Sequence, residues 1–124
     1  DSNPGIVIQA NPLLVAVATD LTKGIGQYPV VKVIKPPLKG FQQGELVSTV
    51  AVYNGWGNEN LPYWSDFYPV VVNCATDDNH EIEQALKQYS TESIEILNSA
   101  ISSITPPYKV GLYKVHHKSS DWKL

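Results

Sequence analysis

Between Ile82 and Ile104 the apolar residues return every three or four positions: Ile82, Leu86, Tyr89, Ile96, Leu97, Ala100, Ile101 and Ile104, with Ser93 at the same spacing. That is the period of one helix face, and such a face must be buried against another element. Glu83, Lys87, Glu92, Glu95 and Asn98 fall on the opposite side. Asp78, with Glu81 three residues later, resembles a capping box, and Pro106-Pro107 stops the pattern. The spacing predicts one long helix over about 79–103, roughly 36 Å at the usual rise per residue. Ser90-Thr91 is the point at which it would break or bend.

Upstream, the period changes to two. From Glu45 to Tyr53, Leu46, Ser48, Val50 and Val52 alternate with Val47, Thr49, Ala51 and Tyr53, which reads as a strand. Tyr28 to Lys35 alternates similarly and ends at Pro36-Pro37, which cannot donate to a ladder. These two strands are expected to form an antiparallel pair. Gly5 to Ala10 reads as a first strand, and Tyr108 to His116 as the last. Phe67 to Cys74 contains the unbroken run Val70-Val71-Val72 and is expected to be a central strand buried on both faces. Leu13 to Leu21 is ambiguous. Asn11-Pro12 would cap a helix there, but the β-branched content favours a strand.

The fold class that follows is α+β: a mostly antiparallel sheet of some four to six strands with the long helix packed on one face. The alternative is a partly open, OB-like β-barrel plus the helix. With 124 residues, no internal repeat and no linker-like tract, residues 1–124 read as a single domain.

Composition removes several functions. Net charge is −3, and all nine basic residues are lysine. Arginine is the preferred side chain for bidentate phosphate and guanine contacts, so an acidic chain without it is not expected to bind nucleic acid. The longest apolar run, Leu13 to Ala18, has six residues, far below the roughly 20 that span a bilayer. Membrane insertion is not expected. The single cysteine, Cys74, excludes an intrachain disulfide and is expected to be a small buried hydrophobe. The chain contains no methionine, not even at position 1. Removal of a leader and an extracytoplasmic or secreted mature chain are the expectation.

The most distinctive stretch is the aromatic loop between Tyr53 and Tyr68. Tyr53, Trp56, Tyr63, Trp64, Phe67 and Tyr68 stand among Asn54, Asn58, Glu59, Asn60 and Asp66. Flat rings beside amides and acids suit the apolar face and the hydroxyls of a sugar. The same residues suit a protein interface, where Trp and Tyr dominate the energetics. They would serve equally as a lid folded over the sheet. The candidate ligand-binding set is Tyr53, Trp56, Asn58, Glu59, Tyr63, Trp64 and Asp66, facing a protein or a glycan in a non-enzymatic binding domain.

Two other classes compete. The apolar segment Ile6 to Leu21 could add to a neighbour's sheet, giving self-association in a surface filament or virion subunit. Glu59 and Asp66 beside the rings would fit a small hydrolase, although no nucleophile elbow is present. No catalytic residue is assigned, and no cofactor or metal is called for. Thr76 to Glu81 is rich in oxygen ligands but lacks calcium-loop spacing. His116 and His117, with Asp121 nearby, would suit a metal, but adjacent residues on a strand point to opposite faces and do not readily hold one ion.

Overall fold

The computed structural model describes residues 2–23, 27–54 and 62–115. The elements are β1 (Ser2–Ala10), β2 (Leu13–Asp20), β3 (Pro29–Ile34), β4 (Leu46–Asn54), β5 (Asp66–Val71), α1 (Asn79–Lys87), α2 (Thr91–Ile101) and β6 (Gly111–Lys114), with a single 3-10 turn at Val72–Cys74. The six strands form one antiparallel sheet in the order β5-β4-β1-β2-β3-β6.

Residues Leu13 to Leu21 form a strand and its exit. The run is apolar at nearly every position because β2 lies inside the sheet with both faces covered. Leu13, Val15 and Val17 enter one cluster with Val7, Val30, Val47, Phe67 and Val71. Leu14 and Ala16 enter a second with Ile8, Val31, Val33 and Ala100. The Asn11–Pro12 peptide bond in the tight β1–β2 turn is cis.

The second cluster is roofed by α2, whose buried residues are Leu97 and Ala100. Among the described residues no helix contributes to the first. It collects Phe67 and Val71 from one edge strand and Leu112 from the other, so the sheet curls until its two edges face a common interior. A half-barrel results, and Thr22 and Tyr63 form an isolated antiparallel bridge that draws it further round. The architecture is thus α+β with a curled antiparallel sheet.

Five expectations are corrected. The long helix is two helices, because Ser90 adopts an extended conformation and its hydroxyl accepts the Ser93 N–H, starting a new N-terminus. Asp78 caps α1 by accepting from His80 and Glu81, while its own N–H donates to Thr76 Oγ1. Strands β3 and β4 do not pair with each other; β1 and β2 lie between them. The strand from Phe67 stops at Val71 and is an edge strand, with Val70 52% exposed. Its valine run reflects an uncovered outer face rather than a central position. Cys74 is exposed, since the chain has already left the sheet in the 3-10 turn. The last strand shortens to Gly111–Lys114.

Candidate functional site

Strands β4 and β5 form a hairpin whose two faces have different fates. On the inner face, Tyr53 and Phe67 are register partners with ring centroids 5.9 Å apart. Phe67 is completely buried. The Tyr53 hydroxyl lies 2.6 Å from Thr19 Oγ1, and Trp64 tilts against Tyr53 at 6.5 Å.

The segment entering β5 is held by main-chain bonds. Lys23 N–H donates to Pro62 O at 2.8 Å and Trp64 N–H to Leu21 O at 2.7 Å. This seats Tyr63 flat on Tyr28, with centroids 4.3 Å apart and planes inclined by 12°. Two lysines lie over the rings: Lys23 Nζ is 4.7 Å from the Trp64 centroid, and Lys114 Nζ is 5.1 Å from that of Tyr28. Both distances are within cation–π range. Tyr53, Tyr63 and Trp64 thus come together, half-buried, against the inner core.

Asp66 stands apart from them. Its Oδ1 accepts from Lys32 Nζ at 3.1 Å and from the Phe67 N–H at 2.7 Å. Trp56, Asn58 and Glu59 lie outside the described residues, as do Asn60, His116, His117 and Asp121. Among the described residues no three metal-ligating side chains converge.

The outer face of the same hairpin carries a feature that sequence reasoning missed. Val50 pairs with Val70 and Val52 with Tyr68. Their exposures are 55%, 52%, 69% and 47% respectively. Single exposed apolar residues are ordinary, but four in mutual contact positions form a patch. The alternation of β4 was visible in the sequence. What was hidden is that the segment between the helices reaches β4 at Ser48, where the Tyr89 hydroxyl lies 2.7 Å from Ser48 Oγ, and that Val50 and Val52 beyond it stay exposed.

The edge of β5 is closed to strand addition. Phe67 N–H is taken by Asp66, and Phe67 O accepts from Lys32 Nζ at 2.8 Å. Pro69, two residues on and therefore facing the same way, has no N–H to offer. Blocking an edge by lysine and proline is a general defence against strand pairing. The hairpin therefore offers its face and not its edge.

A family model described as "Protein of unknown function (DUF3239)" matches residues 1–104. The chain belongs to the DUF3239 family. The match runs from β1 through α2. No curated protein matches this DUF3239 chain. Among solved structures it is similar to one titled "Crystal structure of a putative membrane protein from Corynebacterium diphtheriae", with TM-score 0.68 and 19% identity over 92% of this chain and 99% of that one. At that identity the likeness shows the fold alone. Among the described residues of the DUF3239 chain no helix is long and apolar enough to cross a membrane.

Proposed function

We propose that this DUF3239 chain is a non-enzymatic binding domain that works outside the cytoplasm and presents its β4–β5 hairpin, with the aromatic loop 53–68, to a protein. The observation that carries the reading is the in-register patch of Val50, Val52, Tyr68 and Val70 on the exposed face. Tyr68 stands beside Val52 on that outer face, so one ring and three valines form an apolar surface of the kind in which protein interfaces are anchored.

A protein partner fits better than a glycan. A sugar needs open ring faces, whereas Tyr28 and Tyr63 cover one another and Lys23 and Lys114 lie over Trp64 and Tyr28. The competing readings have less behind them. The segment Ile6 to Leu21 belongs to strands paired on both sides within the sheet. Asp66 already holds Lys32 and the Phe67 N–H. Extracytoplasmic placement draws on the aromatic, charge-poor composition and on the printed description of the C. diphtheriae protein.

The test is affinity capture from the envelope and secreted proteins of the source cells, comparing the unaltered chain with Val52→Asp and Trp64→Ala. Val52 is exposed, so Val52→Asp should leave the melting temperature nearly unchanged while weakening retention of the captured protein by about tenfold or more. Equal retention by the unaltered chain and Val52→Asp would reject the hairpin as the binding face. A concentration-dependent dimer that Val52→Asp disperses would identify the partner as a second copy.

A further inference from the structure

Away from the hairpin, a cleft of about 810 Å³ opens between α2 and the ends of β1, β2 and β3. That volume is within the usual range for small-molecule sites. Its helix wall is Ile96, Leu97 and Ala100, and Ala18, Val30 and Val115 contribute apolar surface from the sheet side. Hydroxyls and amides are spaced between them, from Ser93, Ser99, Ser102, Thr19, Asn3 and Gln27.

Two features of the lining are unexplained by the fold. Ile96 is 60% exposed, although its neighbour Leu97 is 1% exposed and Ala100, one turn on, 5%. The apolar stripe of α2 is wider than the sheet beneath it. Asn3 is only 9% exposed, and its Nδ2 has no hydrogen-bond partner.

Charge narrows the class further. Among the described residues lining the cleft, Asp20 carries the one charge, and no lysine contributes. A carboxylate without a compensating cation repels an anionic ligand and tolerates a neutral one. We infer that the α2 cleft is a binding site for an uncharged small molecule with an apolar body, seated against Ile96. This site is independent of the hairpin.

The experiment is a titration of the full chain with Nile red, an uncharged dye with a ring carbonyl, followed by its blue-shifted emission. Anilinonaphthalene sulfonate serves as an anionic probe of comparable size. Saturable Nile red binding is expected, with the anion bound about tenfold more weakly. Ile96→Asp, which removes apolar wall at an exposed position, and Ser99→Trp, which fills the cleft, should each weaken Nile red by about tenfold or more. Val52→Asp should leave it unchanged, which separates the cleft from the hairpin patch. No saturable binding, equal binding by both cleft variants, loss only in Val52→Asp, or binding that emerges only after residues 116–124 are deleted would each overturn the inference.

Discussion

Lys32 Nζ lies 3.1 Å from Asp66 Oδ1, although β4, β1 and β2 separate their strands in the sheet order. The ammonium also donates to Phe67 O at 2.8 Å and sits 4.4 Å from the Tyr68 ring centroid. One side chain thereby ties β3 to the β5 edge across the inside of the curled sheet. The Lys32 and Asp66 side chains are 13% and 27% exposed, so solvent screens the pair only in part. Lys32→Ala should lower the free energy of unfolding by about 2–3 kcal/mol, read by urea denaturation. Asp66→Asn keeps an acceptor for both donors and should cost less, about 1 kcal/mol. A change in Lys32→Ala no larger than that of a random surface substitution would show that the strap contributes little.

Gly5 occupies the tightest point of the inner face. A Cβ there would meet Val15 Cγ1 at 3.0 Å, Val47 Cγ2 at 3.1 Å and Val17 Cγ2 at 3.2 Å. These valines come from the strands on both sides of β1 and are almost fully buried, so none can give way without moving another. Gly5→Ala should destabilise by about 1–3 kcal/mol. Adding Val47→Ala removes one of the three clashes, and the double variant should be less destabilised than the two single changes added together. Strict additivity would show that the valines relax independently.

Tyr89 stands at the break between the helices and reaches the sheet. Its hydroxyl is 2.8 Å from Ser2 Oγ and 2.7 Å from Ser48 Oγ. Ser48 is 1% exposed, so Tyr89→Phe strands a buried hydroxyl and should cost about 1–2 kcal/mol. Ser2 is exposed, and Ser2→Ala should fall within about 0.5 kcal/mol of the unaltered chain. Hydrogen exchange in α1 should quicken in Tyr89→Phe and not in Ser2→Ala. Unchanged α1 protection in both would mean that the helix is held by apolar contacts alone.

The strands were legible where one rule governs a whole segment. Alternation from Leu46 to Tyr53 identified a strand, whereas the run from Leu13 left strand and helix open because an apolar run has no period of its own. Pairing was not legible, because which strand lies beside which depends on contacts distant in sequence: β4 joins β1 rather than β3 through partners such as Gly5 and Val47. The helix break at Ser90 was anticipated in its residues but not in its outcome, since a continuous helix and a capped restart share the same apolar spacing. Val70 misled for a related reason. A valine run looks alike whether both faces are buried or one is left open. The candidate site was legible only as composition. That Tyr53 and Phe67 face inward while Val52 and Tyr68 face outward is fixed by the curl of the sheet, for which no local pattern codes.

Asp20 closes the base of the β2–β3 connection and gives stability a specific pH dependence. Its Oδ1 accepts the Thr22 N–H at 2.8 Å and the Tyr28 N–H at 3.0 Å. Partial burial pushes the carboxyl up, but the Thr22 hydroxyl and these two N–H groups together outweigh it and hold it below its ordinary value of 3.8. Between the folded and unfolded values the unfolded chain binds more protons, so falling pH favours unfolding. The contribution of Asp20 is therefore fully present above the unfolded value and is lost as pH falls through the lower, folded one. The melting-temperature gap between the unaltered chain and Asp20→Ala should be constant above about pH 5 and shrink steadily under more acidic conditions. A gap that stays constant to about pH 2, or one that widens in acid, would mean that the carboxylate form is not preferred by the folded state.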